Sequence, residues 1–156
     1  MKNKVARMGI TVLFAASLIV SMSAFAQAKE QHECSLARSA GNWSFTDNGT
    51  VIGVGPRTAV GVLTLDGKGN LLNGVATSSL NGTIADETFF GTYTVNPDCT
   101  GTVSAQIFAS GTEILALTMN ISFDCGMTEL RGVFTSVTAP GCTVLPTVIN
   151  LEARKQ

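Results

Sequence analysis

The sequence predicts an all-β fold, an antiparallel up-and-down barrel of eight strands, with a two-sheet β-sandwich as the competing arrangement. Three observations predict it. From Gly41 onward, Val, Ile, Thr and Phe recur in short runs, residue types whose branched or flat side chains suit a pleated surface. Gly, Asn, Asp and Pro divide these runs at short intervals and supply the backbone angles that reverse a chain. Within the runs, apolar and polar residues alternate with period two, so each strand has one face for an interior and one for water.

Taken in order, residues 1–28 read as a signal peptide. Lys2, Lys4 and Arg7 precede an apolar run from Gly9 to Val20, and small residues then recur at Ala24, Ala26 and Ala28, a small-x-small cleavage pattern. The run is shorter than the roughly 20 residues that cross a bilayer as a helix. The expected location is therefore exported, periplasmic or extracellular. Residues 29–40 form a polar leader with room for a short helix, and 41–156 form a single barrel domain.

The expected strands are 42–47, 57–65, 70–78, 87–95, 101–109, 113–123, 127–138 and 144–153. Turns are expected at 66–70, 96–98, 110–111, 124–126 and 139–141, where Asp-Gly, Asn-Pro, Ser-Gly, Cys-Gly and Pro-Gly steps occur. Short turns joining consecutive strands favour a meander. Leu115, Leu117, Met119, Ile121 and Phe123 share one face of the sixth strand, and Phe89, Tyr93 and Val95 share one face of the fourth. The fifth strand turns Val103, Ala105, Ile107 and Ala109 inward; with Gly91 and Gly132, these small residues predict space inside the barrel. A closed barrel of eight strands either fills its interior with side chains or holds one small ligand there.

Charge and composition exclude several functions. From Lys29 onward, 7 basic side chains face 11 acidic ones, a net charge of -4, and no basic stripe is present, so nucleic acid is not an expected partner. The single histidine, His32, lies in the leader, which removes His-dependent nucleophilic triads from the folded body. No metal site and no cofactor are expected, because no closely spaced ligand pairs occur. Among the carboxylates, Asp86-Glu87 reads as a solvated loop end and Glu113 as an edge charge. Glu129 and Arg131, two apart on one strand face, read as an exterior ion pair.

Export gives the four cysteines a meaning. Cys34, Cys99, Cys125 and Cys142 are an even set in the mature part, which in an oxidising compartment implies two disulfides. Pairing residues outward from the 110–111 turn brings position 99 beside 124 or 125, so Cys99–Cys125 is expected and Cys34–Cys142 follows by elimination.

Gly41-Asn42-Trp43 forms a G-x-W motif at the start of the first strand, after a short polar leader and before seven more strands. In this the chain resembles the calycin superfamily, the lipocalins and avidin-like proteins. The resemblance implies a barrel with Trp43 packed at a closed end, against an arginine following the last strand, here Arg154. The lipocalin T-D-Y signature is absent, its place reading Phe123-Asp124-Cys125, and biotin-type sites need several tryptophans where this chain has one. The expected function is an exported barrel binding a small apolar ligand inside, with Tyr93, Leu117, Met119 and Phe134 as its walls. The alternatives are a structural or envelope-associated protein with a packed interior and a cofactor-free isomerase or cyclase of the allene-oxide-cyclase-like type.

Overall fold

A computed structural model describes residues 33–156; the expected signal peptide at 1–28 and the leader up to His32 lie outside the described residues. The elements are α1 (Leu36–Ser39), β1 (Gly41–Val51), β2 (Gly55–Leu65), β3 (Asn70–Leu80), β4 (Thr83–Tyr93), β5 (Thr100–Ala109), β6 (Thr112–Phe123), β7 (Glu129–Ala139), β8 (Thr143–Val144) and β9 (Thr147–Lys155). Each strand from β1 to β7 pairs antiparallel with the next, and β9 pairs with both β7 and β1. Eight long strands thus close an up-and-down barrel, and the sandwich is excluded. The eighth strand expected at 144–153 is divided instead, because Pro146 has no N–H to give a ladder. Two residues before it form β8, and its own carbonyl accepts from Ile52 N at 2.8 Å.

The two barrel ends are built differently. The turns at one end place Gly69, Cys99 and Met127 at φ +94°, +69° and +55°. At each, an aspartate braces the turn from its own side chain: Asp66 accepts from Asn70 N at 2.7 Å, Asp98 from Thr100 N at 3.0 Å and Asp124 from Thr128 N at 2.7 Å. The other end carries two-residue hairpins at Asn81-Gly82 and Ser110-Gly111, with both residues of each at positive φ, as tight hairpins require. Asn81-Gly82 was not among the expected turns. It moves the start of β4 from 87 back to Thr83, which makes Glu87 a mid-strand residue.

The leader seals the first end. Ser35 caps α1 by accepting from Arg38 N, and Arg38 reaches the carbonyls of Glu33 (3.0 Å) and Cys125 (3.1 Å). Trp43, 1% exposed, donates from Nε1 to Ser39 O at 2.9 Å and meets the Phe123 ring edge-on at 5.9 Å between centroids. The tryptophan therefore sits at the closed end as the resemblance implied. Arg154 does not cover it: its side chain is exposed and pairs with Glu129 at 3.0 Å. Lys155 takes the position over the leader, donating to Arg38 O at 2.9 Å.

The cysteine expectation needs correction. Cys99 does lie beside the 124–127 turn, since its carbonyl accepts from Phe123 N at 2.8 Å. Its disulfide partner, however, is Cys34, with Cα atoms 5.0 Å apart, and Cys125 and Cys142 are exposed free thiols. The leader folds back across the closed end and delivers Cys34 to the turn before β5. Cys142 lies in the turn at the opposite end, on the order of 25 Å away for tilted strands of this length, far beyond disulfide reach.

Candidate functional site

The candidate site is the barrel interior. Its lower layer, at the closed end, is packed by Trp43, Tyr93, Phe123 and Met127, all buried. Above it lies a cavity of about 50 Å³, walled by Phe89, Ala105, Leu117, Met119 and Phe134 and bordered by Asp47, Arg57 and Glu87. Three of the four expected ligand residues, Leu117, Met119 and Phe134, therefore meet at one cavity. Tyr93 does not. Its hydroxyl is tied to the leader and the 66–69 turn, sharing a hydrogen bond with Ser39 Oγ at 2.9 Å and donating to the carbonyl of Asp66. Burial raises the Tyr93 pKa above the usual phenolic range, the Ser39 bond opposing it. Tyr93→Phe is expected to lose about 1 kcal/mol for each bond forfeited, read as a lower midpoint in urea, with cavity binding unchanged.

The predicted roominess of the interior is largely absent, because small residues host the bulk of their neighbours. A Cβ added at Gly132 would lie 3.1 Å from Ile121 Cγ2, and one at Gly74 would lie 2.3 Å from the Phe89 ring. Phe89 owes its position over the cavity to that glycine and to the edge of Phe45, 5.6 Å away between centroids. What remains compares with about 30 Å³ per water molecule in the liquid and about 300–1,000 Å³ for an ordinary ligand pocket.

A charged cluster borders this cavity toward the end with the two-residue hairpins. It is drawn from four adjacent strands: Asp47 on β1, Arg57 on β2, Ser78 on β3 and Glu87 on β4. Arg57 donates to both oxygens of Glu87, at 3.1 and 3.0 Å, and more distantly to Asp47 Oδ2 at 3.4 Å. Ser78 Oγ donates to Glu87 Oε1 at 2.6 Å. Glu87 is thus fully engaged, while Asp47 Oδ1, equally buried, has no hydrogen-bond partner among the described residues. Burial pushes the Asp47 carboxyl above the usual carboxylate range, with Arg57 opposing the shift. Burial also disfavours the charged guanidinium, but Glu87 and Asp47 outweigh it and hold Arg57 above its ordinary value.

Reading Asp86-Glu87 as a solvated loop end is corrected by this geometry. Asp86 alone is exposed, accepting from Thr77 Oγ1 at 2.9 Å, whereas Glu87 is 5% exposed and points inward. Glu129 and Arg131 do lie outside, but Glu129 pairs with Arg154. Glu113 stands at an outer edge, accepting from Gln106 Nε2 at 3.3 Å. Arg57 and Asp47 were not expected as site residues at all. The sequence did hold a signal for the two carboxylates: Trp43 and Phe45 predict an inward Asp47, and Phe89 and Tyr93 predict an inward Glu87, by simple alternation.

No family model and no curated protein matches the chain. Among solved structures it is similar to a redesigned β barrel, mFAP1, bound to DFHBI, with a TM-score of 0.51 and 15% identity over 78% of this chain and 98% of that one. It also aligns with the S-type phycobiliprotein lyase CPES from Guillardia theta, with a TM-score of 0.48 and 9% identity over 81% of this chain and 95% of that one. A third alignment is with Rv2717c from M. tuberculosis, with a TM-score of 0.34 and 15% identity over 78% and 94%. The likeness to the redesigned barrel shows the fold alone, a closed antiparallel β barrel.

Proposed function

We propose that this protein is an exported barrel that binds a small, largely apolar molecule in its interior, near the charged cluster. The observation that carries this reading is the junction of apolar walls at Phe89, Leu117, Met119 and Phe134 with a buried polar cluster, across space that packing leaves unfilled. Few convergent polar groups in an apolar cavity are the usual form of a small-molecule site. Calycin-like architecture and the redesigned barrel bound to DFHBI support it by analogy of fold.

A ligand larger than the cavity needs the interior to widen, and one part of the wall is suited to that. β7 pairs with β9 only from Glu129 to Val133. Beyond Val133 its neighbour on that side is the 140–146 segment, held by the two β8 pairs and by Leu145 N donating to Val137 O at 2.8 Å. Sparse backbone pairing of this kind marks the segments that open most readily. Phe134 lies beside it, and Met119, an unbranched and adaptable side chain, lies opposite Phe134 in the ladder.

Export and signal cleavage near Ala26 or Ala28 belong to the same proposal, supported by the Cys34–Cys99 disulfide. Intact mass of the protein recovered outside the cytoplasm should lack the first 26–28 residues. For the pocket, a neutral polarity-sensitive naphthalene dye should bind saturably at one site. Leu117→Trp and Met119→Trp should each weaken it at least about tenfold, at an overpacking penalty of about 1–3 kcal/mol in stability. A wild-type protein that binds no such dye is a packed structural barrel, and the carrier reading falls.

A further inference from the structure

We infer that the ligand carries a cationic nitrogen, a primary or secondary ammonium on a short apolar body, and that Asp47 Oδ1 is its recognition point. The inference rests on the binding role proposed above and adds the chemistry of the head group. Charge is the first argument. The cluster sets one guanidinium against two carboxylates, a formal charge of −1, with Asp47 3% and Glu87 5% exposed. Buried charges in proteins are paired, and an excess charge away from water calls for a partner.

Hydrogen bonding is the second argument, and it is independent of the first. Both Glu87 oxygens accept from Arg57, and Ser78 adds a third donor. Asp47 receives the Arg57 contact at 3.4 Å, on Oδ2, and a weaker one from the Ala59 backbone N–H. Its Oδ1 is completely buried without a partner, on a residue that borders the cavity. An unfilled acceptor selects for a donor. A carboxylate or phosphate head group would meet net negative charge, and Arg57 already directs its Nη donors to two carboxylates. A ketone or ester offers only acceptors. An ammonium offers up to three donors and the missing positive charge, and its alkyl body would lie along Leu117, Met119 and Phe134.

Titration calorimetry with hexylammonium, hexan-1-ol and hexanoate tests this, because the three share one body and differ in the head group. Hexylammonium should bind about tenfold or more tighter than hexan-1-ol, the scale of a charge-assisted hydrogen bond, and hexanoate should not bind. Asp47→Asn keeps an oxygen for Arg57 and should abolish the preference for hexylammonium over hexan-1-ol. A crystal structure of the wild-type protein with hexylammonium should place the nitrogen within hydrogen-bond distance of Oδ1, and this readout stands even if the variant fails to fold. If hexan-1-ol binds as well as hexylammonium, or if the crystal structure shows only a water on Oδ1, the head-group inference is overturned while the carrier reading stands. If neither the alkyl series nor the neutral dye binds, the carrier reading itself has failed.

Discussion

Arg57→Met is expected to lower stability by about 3–5 kcal/mol near neutral pH, the usual result of removing one partner from a buried ionic cluster. Among the described residues Arg57 is the sole cation between Asp47 and Glu87, with all three side chains at most 10% exposed. Without it two carboxylates are left facing each other away from water, and each disfavours ionisation of the other. The pH dependence then identifies the cause. A carboxyl whose folded pKa lies above its unfolded value leaves the native state binding more protons than the unfolded state, so stability falls as pH rises and returns as pH falls. The Arg57→Met variant should accordingly recover on acidification from neutral pH toward the ordinary carboxylate range, followed as the urea midpoint at successive pH values. Wild-type Asp47 is already shifted in this direction by burial, so Asp47→Asn should match or exceed wild-type stability at neutral pH. The triple variant Asp47→Asn, Arg57→Met, Glu87→Gln should regain most of the loss. A single Arg57→Met variant with wild-type stability and no acid recovery would mean that the cluster is hydrated and not a buried charge network.

Loss of the Cys34–Cys99 bridge is the second large effect. The bridge spans a sequence separation of 65 residues, and on the chain-entropy account closing a loop of that size contributes about 4 kcal/mol. Cys34→Ser and Cys99→Ser should each show it as a lower denaturant midpoint, equal to that of the reduced wild type. The damage should concentrate at the closed end, because α1 positions the Ser39 carbonyl that Trp43 binds and the Ser39 hydroxyl that meets Tyr93. Trp43 fluorescence should therefore red-shift ahead of global unfolding. Cys125→Ser and Cys142→Ser, at exposed free thiols, should stay within about 0.5 kcal/mol of wild type. Non-reducing peptide mapping that joined Cys99 to Cys125 would overturn the assignment.

The barrel was legible because its information is local. Alternation along β6 put Leu115, Leu117, Met119, Ile121 and Phe123 on one face, and that face is the inner one. The same parity in β5 correctly turned Val103, Ala105 and Ile107 inward. Where parity failed, a bulge intervened: the ladder shifts between Thr118 and Met119, so β7 buries Phe134 and then Val137. The charged cluster was missed for a different reason. Leaving out the Asn81-Gly82 hairpin shortened β4 and turned Glu87 into a loop residue, and with it went the partner that gives an inward Arg57 its sense.

By itself the sequence determined the class, the strand order and three residues of the cavity wall. All of these depend on the period of a strand or on a neighbouring turn. The tertiary structure alone decided which cysteine reaches Cys99, how much of the interior is filled, and that Asp47, Arg57, Ser78 and Glu87 from four strands meet. Those outcomes depend on the path of the leader, on side chains from one strand occupying the space over a glycine of another, and on the closure of the sheet. Each is a relation between residues distant in the chain, and period and composition do not encode it.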